Sequence, residues 1–291
     1  MNYLKSSKLG FVITQLIVLV SLLLLTGCSS RNKEEPKNEG VKARESLKSK
    51  KLNVDKVKVK KDSHLKWIHY KEKCRIPILM YHSISAGNAL RVPPKQFEEE
   101  MAYLKANQYY TLSTDEAIKA FETNSLPQKK VVWITLDDAY KDNYTAAFPI
   151  LKKYHLHATI NYITSFSQKP NHLTLSEAKT MQHSGLVDFQ SHTVQHLDLN
   201  ALSTDVQKQE LANSKKYLDD NLKQNTRMIC YPAGRYNQTT IRLANHLGYK
   251  IGLTTNEGLA CVDQGWYSLA RVRIAPGIDR QTFMQLLQNG Y

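Results

Sequence analysis

Two short clusters in the 291-residue chain carry side chains that could do chemistry together. The first is Asp137-Asp138, at the end of the apolar run Val131-Val132-Trp133-Ile134-Thr135-Leu136; the second is Ser191-His192-Thr193-Val194-Gln195-His196. Adjacent carboxylates repel each other and resist burial, so a nearby cation, donor set or shared proton has to compensate them. Imidazoles four residues apart lie on one face of a helical turn or converge in a tight loop, and either arrangement can chelate one ion. Each cluster has an ordinary alternative: Asp-Asp can cap a following helix, and a His-x-x-x-His pair can be incidental. Together, however, two neutral nitrogens and one carboxylate make a common catalytic zinc set with a position left for water, and the remaining aspartate is free to act as a base.

Each cluster ends a strand-like run, which places it at the strand terminus where α/β folds keep their chemistry. β-branched and aromatic runs predict strands over 75–82, 131–136, 158–163, 185–190, 227–232, 249–254 and 269–274. Three- and four-residue spacing of Phe97, Met101 and Leu104 predicts a helix over 94–107, Thr114-Asp115-Glu116 opens another over 114–121 in the manner of a capped N-terminus, and further helices are read over 143–154, 176–183, 204–222, 239–247 and 280–287. Strands alternating with helices imply parallel strands with right-handed crossovers, in a closed barrel or an open sheet.

Thr135-Leu136-Asp137-Asp138-Ala139 resembles the first motif of the polysaccharide deacetylases of carbohydrate esterase family 4, the NodB-homology domain, and Ser191 to His196 resembles the second. Tyr231-Pro232-Ala233-Gly234 is similar to the third motif, and Leu79-Met80-Tyr81-His82 to a segment of the branch that deacetylates poly-N-acetylglucosamine in biofilms. The resemblance covers residues 74–291 and implies an α/β fold of the incomplete (β/α)7-barrel type. It implies a metal-dependent hydrolase that removes N-acetyl groups from N-acetylglucosamine residues of an extracellular polysaccharide. By the same resemblance, Asp138, His192 and His196 are the ligands of a divalent metal, most simply Zn2+, and Asp137 is the base. His82 is the acid that protonates the leaving amine, and no Leu-x-His follows residue 250 to take that role instead. The Ala233 amide is expected as an oxyanion donor within Tyr231-Pro232-Ala233, and Tyr231 and Trp266 are candidates to stack on sugars or to be ordinary core or rim residues. Two positions depart from the family pattern. Ala139 stands where the first motif ends in Gly, so that turn must tolerate a Cβ, and Cys230 stands where the third motif commonly has the Arg that orients the base. Rival readings are a peptidoglycan or chitin-oligomer deacetylase, an O-acetyl esterase, or a glycan-binding lipoprotein without turnover.

The amino terminus adds an address. Lys5 and Lys8 precede an apolar run over 9–25 that ends in Leu25-Thr26-Gly27-Cys28. A basic start, an apolar core and small residues before a cysteine describe an export signal over 1–27, similar to a bacterial lipoprotein box with lipid on Cys28. An uncleaved membrane anchor is the alternative. Either places the rest outside the cytoplasm, on the outer face of the cytoplasmic membrane, with the membrane as partner. Residues 28–73 hold 15 Lys/Arg against 7 Asp/Glu and few large apolar side chains, and they read as a basic tether, with a possible edge strand over 52–60. That segment carries much of the net charge of +14, so the basic balance gives nucleic-acid binding little support. Cys28, Cys74, Cys230 and Cys261 show neither CxxC spacing nor disulfide-scaffold density, which argues against zinc held by sulfur.

Overall fold

Seven parallel strands close into a barrel because β2 (Ile78–Tyr81) hydrogen-bonds to the last strand on one side and to β5 (Val131–Leu136) on the other. The structure, a computed structural model, describes residues 66–291. The signal segment, Cys28 and the strand expected over 52–60 lie outside the described residues. In chain order the described elements begin with β1 (Ile68–His69), β2, α1 (Pro94–Ala106), β3 (Tyr110–Thr111), α2 (Thr114–Thr123), β4 (Ser125–Leu126) and β5 (Val131–Leu136). They continue with α3 (Phe148–Tyr154), β6 (Ala158–Tyr162), α4 (Leu175–His183), β7 (Val187–Ser191), α5 (Thr204–Leu222) and β8 (Met228–Cys230). The chain finishes with α6 (Gln238–His246), β9 (Ile251–Glu257), β10 (Leu269–Arg273) and α7 (Arg280–Asn289). The barrel order is β2-β5-β6-β7-β8-β9-β10, with β3 added in parallel at the start of β5. The closed alternative is therefore the one the chain adopts.

Strand parity divides the core into two layers. Leu79, Tyr81, Val132, Ile134, Leu136, Ile160, Phe189 and Val272 pack in one cluster with residues of α1, α3, α4, α5 and α7, so these side chains face outward to the helices. Ile78, Val131, Trp133, Met228, Cys230, Ile251, Leu253 and Leu269 form a second cluster with Ala117, Ile118 and Phe121 of α2. These residues fill the barrel, and α2 closes its N-terminal end. Its start is fixed by a capping box between Ser113 and Glu116, and the Thr114 amide donates to Asp188 on β7 at 2.8 Å. Each inward row runs upward into polar residues: Ile78 leads to His82, Trp133 to Asp137, Thr159 to Asn161, Asp188 to His192, and Leu269 to Arg271. The period of two thus delivers five polar side chains to one end of the barrel.

Two local departures from expectation have physical causes. The helix expected over 143–154 starts as a π-helical turn at Asn143–Ala147 before α3, because Pro149 has no N–H to close an ordinary α turn there. The tether expected to run to residue 73 is fastened earlier. β1 pairs antiparallel with β4, Trp67 packs under the Lys119 ammonium at 4.1 Å from its ring centroid, and the Asn124 side chain bonds the carbonyls of Tyr70 and Glu72.

Helix α1 buries Phe97, Glu100, Met101 and Leu104, a stripe at helical spacing with a carboxyl in its middle. Glu100 accepts from the Tyr81 hydroxyl at 2.7 Å and from Gln96 at 2.9 Å, neither of them a cation. Burial pushes its pKa from 4.5 up to about 7, against those two hydrogen bonds. The folded state therefore holds this proton more tightly than the unfolded chain, and the associated stability is present below pH 4.5 and lost as pH rises to about 7. Over that window the loss amounts to about 3 kcal/mol. Glu100→Gln is expected to flatten the fall in Tm between about pH 5 and pH 8, measured by calorimetry; an unchanged slope would remove Glu100 as its source.

Candidate active site

Asp137 and Asp138 follow β5 directly, and the backbone separates them. Asp137 continues the inward row, whereas Asp138 (φ +69°) and Ala139 (φ +55°) take left-handed conformations that turn the chain over the barrel mouth. The Cβ that the first motif had to accommodate therefore sits at a positive φ, in the buried shell, at a position where glycine is the unstrained residue. The second cluster also forms a tight loop rather than a helix. Thr193 and His196 have φ of +66° and +61°, and Glu210 of α5 accepts the Val194 and Gln195 amides, both at 2.9 Å. One buried carboxylate thus organises the loop that carries both imidazoles.

The result is convergence. Nε2 of His192 lies 3.4 Å and Nε2 of His196 3.5 Å from Oδ1 of Asp138. His192 Nδ1 is 2.7 Å from the Cys230 carbonyl, which can only accept, so the proton resides on Nδ1 and the Nε2 lone pair is free. Asp138 Oδ1 is buried and has no hydrogen-bond partner, an arrangement that costs free energy unless a cation fills the gap. Ligands about 2.1 Å from a tetrahedral ion stand roughly 3.4 Å apart, so the three atoms fit around one divalent metal. Asp137, His192 and Cys230 form a second group within reach of one ion, but both oxygens of Asp137 already accept from a guanidinium.

That guanidinium is Arg271, which the sequence motifs did not indicate. It is fully buried and makes a two-point contact with Asp137 at 2.8 and 2.7 Å, while its Nε donates to the Thr254 carbonyl at 2.7 Å. Four residues of β9 are spanned by two of β10 at this point, with Leu269 opposite Leu253 and Arg271 opposite Glu257, and this irregularity presents Arg271 beneath the mouth. An arginine from another strand thus contacts Asp137, where Cys230 in the third motif offers only a thiol at 3.7 Å. Asn161 adds a donor to Asp137 Oδ1 at 2.6 Å. Burial alone would raise the Asp137 carboxyl; the Arg271 charge and hydrogen bonds outweigh it and hold the pKa well below the carboxylate range. The only sequence signals were an arginine within a buried strand and an asparagine in the inward row of β6; Glu210 gave none, being one charge among many on a polar helix.

His82 ends the inward row of β2, with Nε2 3.8 Å from Asp137 Oδ2. Burial lowers its pKa, against the opposing pull of the two aspartates. Pro232 is buried, and Ala233 is exposed at φ +49° in the turn directly after β8. Tyr231 is fully buried and stacks on Tyr236 with centroids 4.5 Å apart, so its ring offers no face to a sugar. Trp266 lies with Lys250, Tyr267 and Ser268 ahead of β9 and β10, at the opposite end of the barrel from the aspartates.

Comparison with known proteins gives this geometry its context. Residues 124–252 match the family described as polysaccharide deacetylase. Bacillus subtilis YxkH, whose name assigns it to the polysaccharide deacetylases, is 42% identical over 92% of this chain and 95% of its own. This chain belongs to the polysaccharide deacetylase family. The deacetylase is also 30% identical to the poly-beta-1,6-N-acetyl-D-glucosamine N-deacetylase of Staphylococcus epidermidis, over 76% of this chain and 82% of that one. Among solved structures, the Streptococcus pyogenes deacetylase PplD in complex with acetate superposes with a TM-score of 0.72 and 44% identity, covering 74% of this chain and 99% of PplD. The deacetylase therefore has the α/β, seven-stranded barrel of its family, and its reaction class is hydrolytic deacetylation of a polysaccharide.

Proposed function

We propose that the protein is a metal-dependent N-deacetylase of N-acetylglucosamine residues in an extracellular polysaccharide, with poly-N-acetylglucosamine as the first candidate and zinc as the metal. The observation that carries this reading is the orphaned Asp138 Oδ1 facing two imidazole nitrogens, with a second, permanently ionised carboxylate alongside. A divalent cation held by Asp138, His192 and His196 would polarise the acetyl carbonyl and acidify a water. Asp137 takes the proton from that water as oxygen attacks the carbonyl carbon. Arg271 keeps Asp137 ionised, the state in which a carboxylate can accept a proton. The carbon–nitrogen bond then breaks as His82, in its imidazolium form, gives a proton to the departing amine; acetate leaves, and the proton on Asp137 returns to solvent while His82 takes up another. The Ala233 amide is assigned to the developing oxyanion. The lipoprotein-like sequence ending at Cys28 supports placing the enzyme at the outer face of the cytoplasmic membrane, where such polymers lie.

The test is product analysis on defined oligomers. Metal-loaded protein is expected to release free amine and acetate from N-acetylglucosamine oligomers, to lose turnover on chelation, and to regain it with added Zn2+. Release of acetate without amine, from an O-acetylated substrate alone, would replace this reading with an esterase. Binding without any release, with metal present, would leave a glycan-binding lipoprotein.

A further inference from the structure

Beyond the last bonds between β2 and β5, the chain that carries His82 is held by side chains from one short segment. The β2–β5 pairing ends at Tyr81 opposite Leu136, and the Asp137 amide donates to the Tyr81 carbonyl at 2.9 Å. Residues 82–84 are then bonded one after another by Asp142 and Asn143, which stand at the entry to the π-helical turn. Asn143 Nδ2 donates to the His82 carbonyl at 2.9 Å. Asp142 Oδ1 accepts the Ile84 amide at 2.9 Å, and its Oδ2 accepts the Ser83 hydroxyl at 2.5 Å. Asn143 Nδ2 also reaches Asp142 Oδ1 at 3.2 Å, so the two residues form a single clamp. On its other edge the stretch exchanges backbone bonds with the approach to α1: the Ser83 amide donates to Leu90 at 3.2 Å and the Val92 amide to Ser83 at 3.0 Å.

Ser83, Ile84 and Asn143 are buried, whereas Asp142 and His82 are partly exposed. A carboxylate accepting a backbone amide and a hydroxyl makes charge-assisted bonds, stronger than those between neutral groups. Asn143 Oδ1 is buried with no hydrogen-bond partner among the described residues, which costs free energy that an apolar side chain would not. The contribution of this amide therefore lies in what its Nδ2 donates, and the shorter of those bonds is to the His82 backbone. A general acid has to stand within hydrogen-bond reach of the atom it protonates, and a misplacement of about 1 Å can cost about 10²-fold in rate. Arg271 fixes Asp137, so the 3.8 Å between His82 Nε2 and the base depends on what holds the chain past β2.

We propose that Asp142 and Asn143 are positioning residues for the general acid: they hold the backbone of residues 82–84 so that the His82 imidazole reaches the departing amine. The inference rests on the deacetylase reading above, in which His82 is the acid, and adds that the segment after the aspartate pair serves the amine-releasing half of the reaction.

The experiment assays metal-loaded protein on N-acetylglucosamine oligomers and on para-nitrophenyl acetate, whose leaving group departs as an anion and needs no proton. Asp142→Ala is expected to lower kcat on the oligomers at least about tenfold, with KM within about twofold and bound metal unchanged, and to slow the aryl ester by less than about threefold. In a His82→Ala background the same substitution is expected to cost the oligomer reaction less than about threefold, because the clamp then has no acid to position. Asp142→Asn keeps an acceptor for the Ile84 amide without the charge and is expected to recover most of the alanine loss. Asn143→Ala is expected to follow Asp142→Ala; as Asn143 is fully buried, calorimetry checks its folding and the Asp142 series decides if it fails to fold. Equal losses in the two backgrounds, equal losses on amide and ester, or an Asn variant as slow as the Ala variant overturns the positioning role and leaves the deacetylase reading standing. Near-normal oligomer turnover by His82→Ala removes the acid role and this inference with it, and oligomers left intact by wild type remove both the inference and the reading beneath it.

Discussion

Asp137→Asn is expected to lower kcat about a thousandfold while leaving bound metal unchanged. The estimate follows from losing a positioned base, which contributes roughly 10²- to 10⁴-fold. Metal should remain because Asp138, His192 and His196 are untouched and their three facing atoms do not include Asp137. His192→Ala is expected to give the contrasting result, loss of both metal and turnover, since it removes a proposed ligand whose orientation is fixed by the Cys230 carbonyl. Metal analysis by mass spectrometry beside initial rates reads both variants. Near-normal rates for the Asn variant would show that the two aspartates have been given the wrong roles.

The second large effect concerns stability. Arg271 has no exposed surface, and its only carboxylate partner among the described residues is Asp137, itself almost fully buried. Arg271→Met leaves the Asp137 charge buried beside Asn161 and a thiol, a situation that costs about 3–5 kcal/mol. For a domain of this size that is a fall in Tm of roughly 10 °C. Because the folded pKa of Asp137 is depressed, the pair's contribution is complete above the unfolded carboxylate pKa and is lost only as pH falls through the folded value. The wild-type pair's contribution is therefore constant between about pH 6 and about pH 8, whereas in the variant burial alone raises the Asp137 carboxyl, so the destabilisation is expected to be larger at about pH 8 than at about pH 6. Adding Asp137→Asn to Arg271→Met removes both charges and is expected to recover part of the loss, which chemical denaturation of the single and double variants would measure. A single variant melting within about 2 °C of wild type would mean that the pair is solvated and not the buried clamp described here.

How much of this was legible in advance can be judged from particular residues. Asp137, Asp138, His192 and His196 were visible because short motifs keep chemically paired residues close in sequence, and the helix α2 start was visible because its capping residues are local. The helix expected over 94–107 followed from the spacing of Phe97, Met101 and Leu104, and α1 ends one residue earlier. By contrast, the resemblance placed the orienting arginine in the third motif, where this chain has Cys230, and nothing local pointed 41 positions further on to Arg271. Tyr231 and Trp266 had the right chemistry for sugar contact, but one is enclosed behind β8 and the other lies at the far end of the barrel.

What the sequence by itself determined is the set of repeating units and the motif residues His82, Asp137 and His192 that end three of the strands, since residue alternation and motif spacing are properties of neighbouring residues. Only the tertiary structure decided that the sheet closes, that a β9–β10 irregularity delivers Arg271 to Asp137, and that Glu210 folds the histidine loop. Those contacts join residues far apart along the chain, and their energies come from burial and charge pairing, which exist only once the barrel has excluded water.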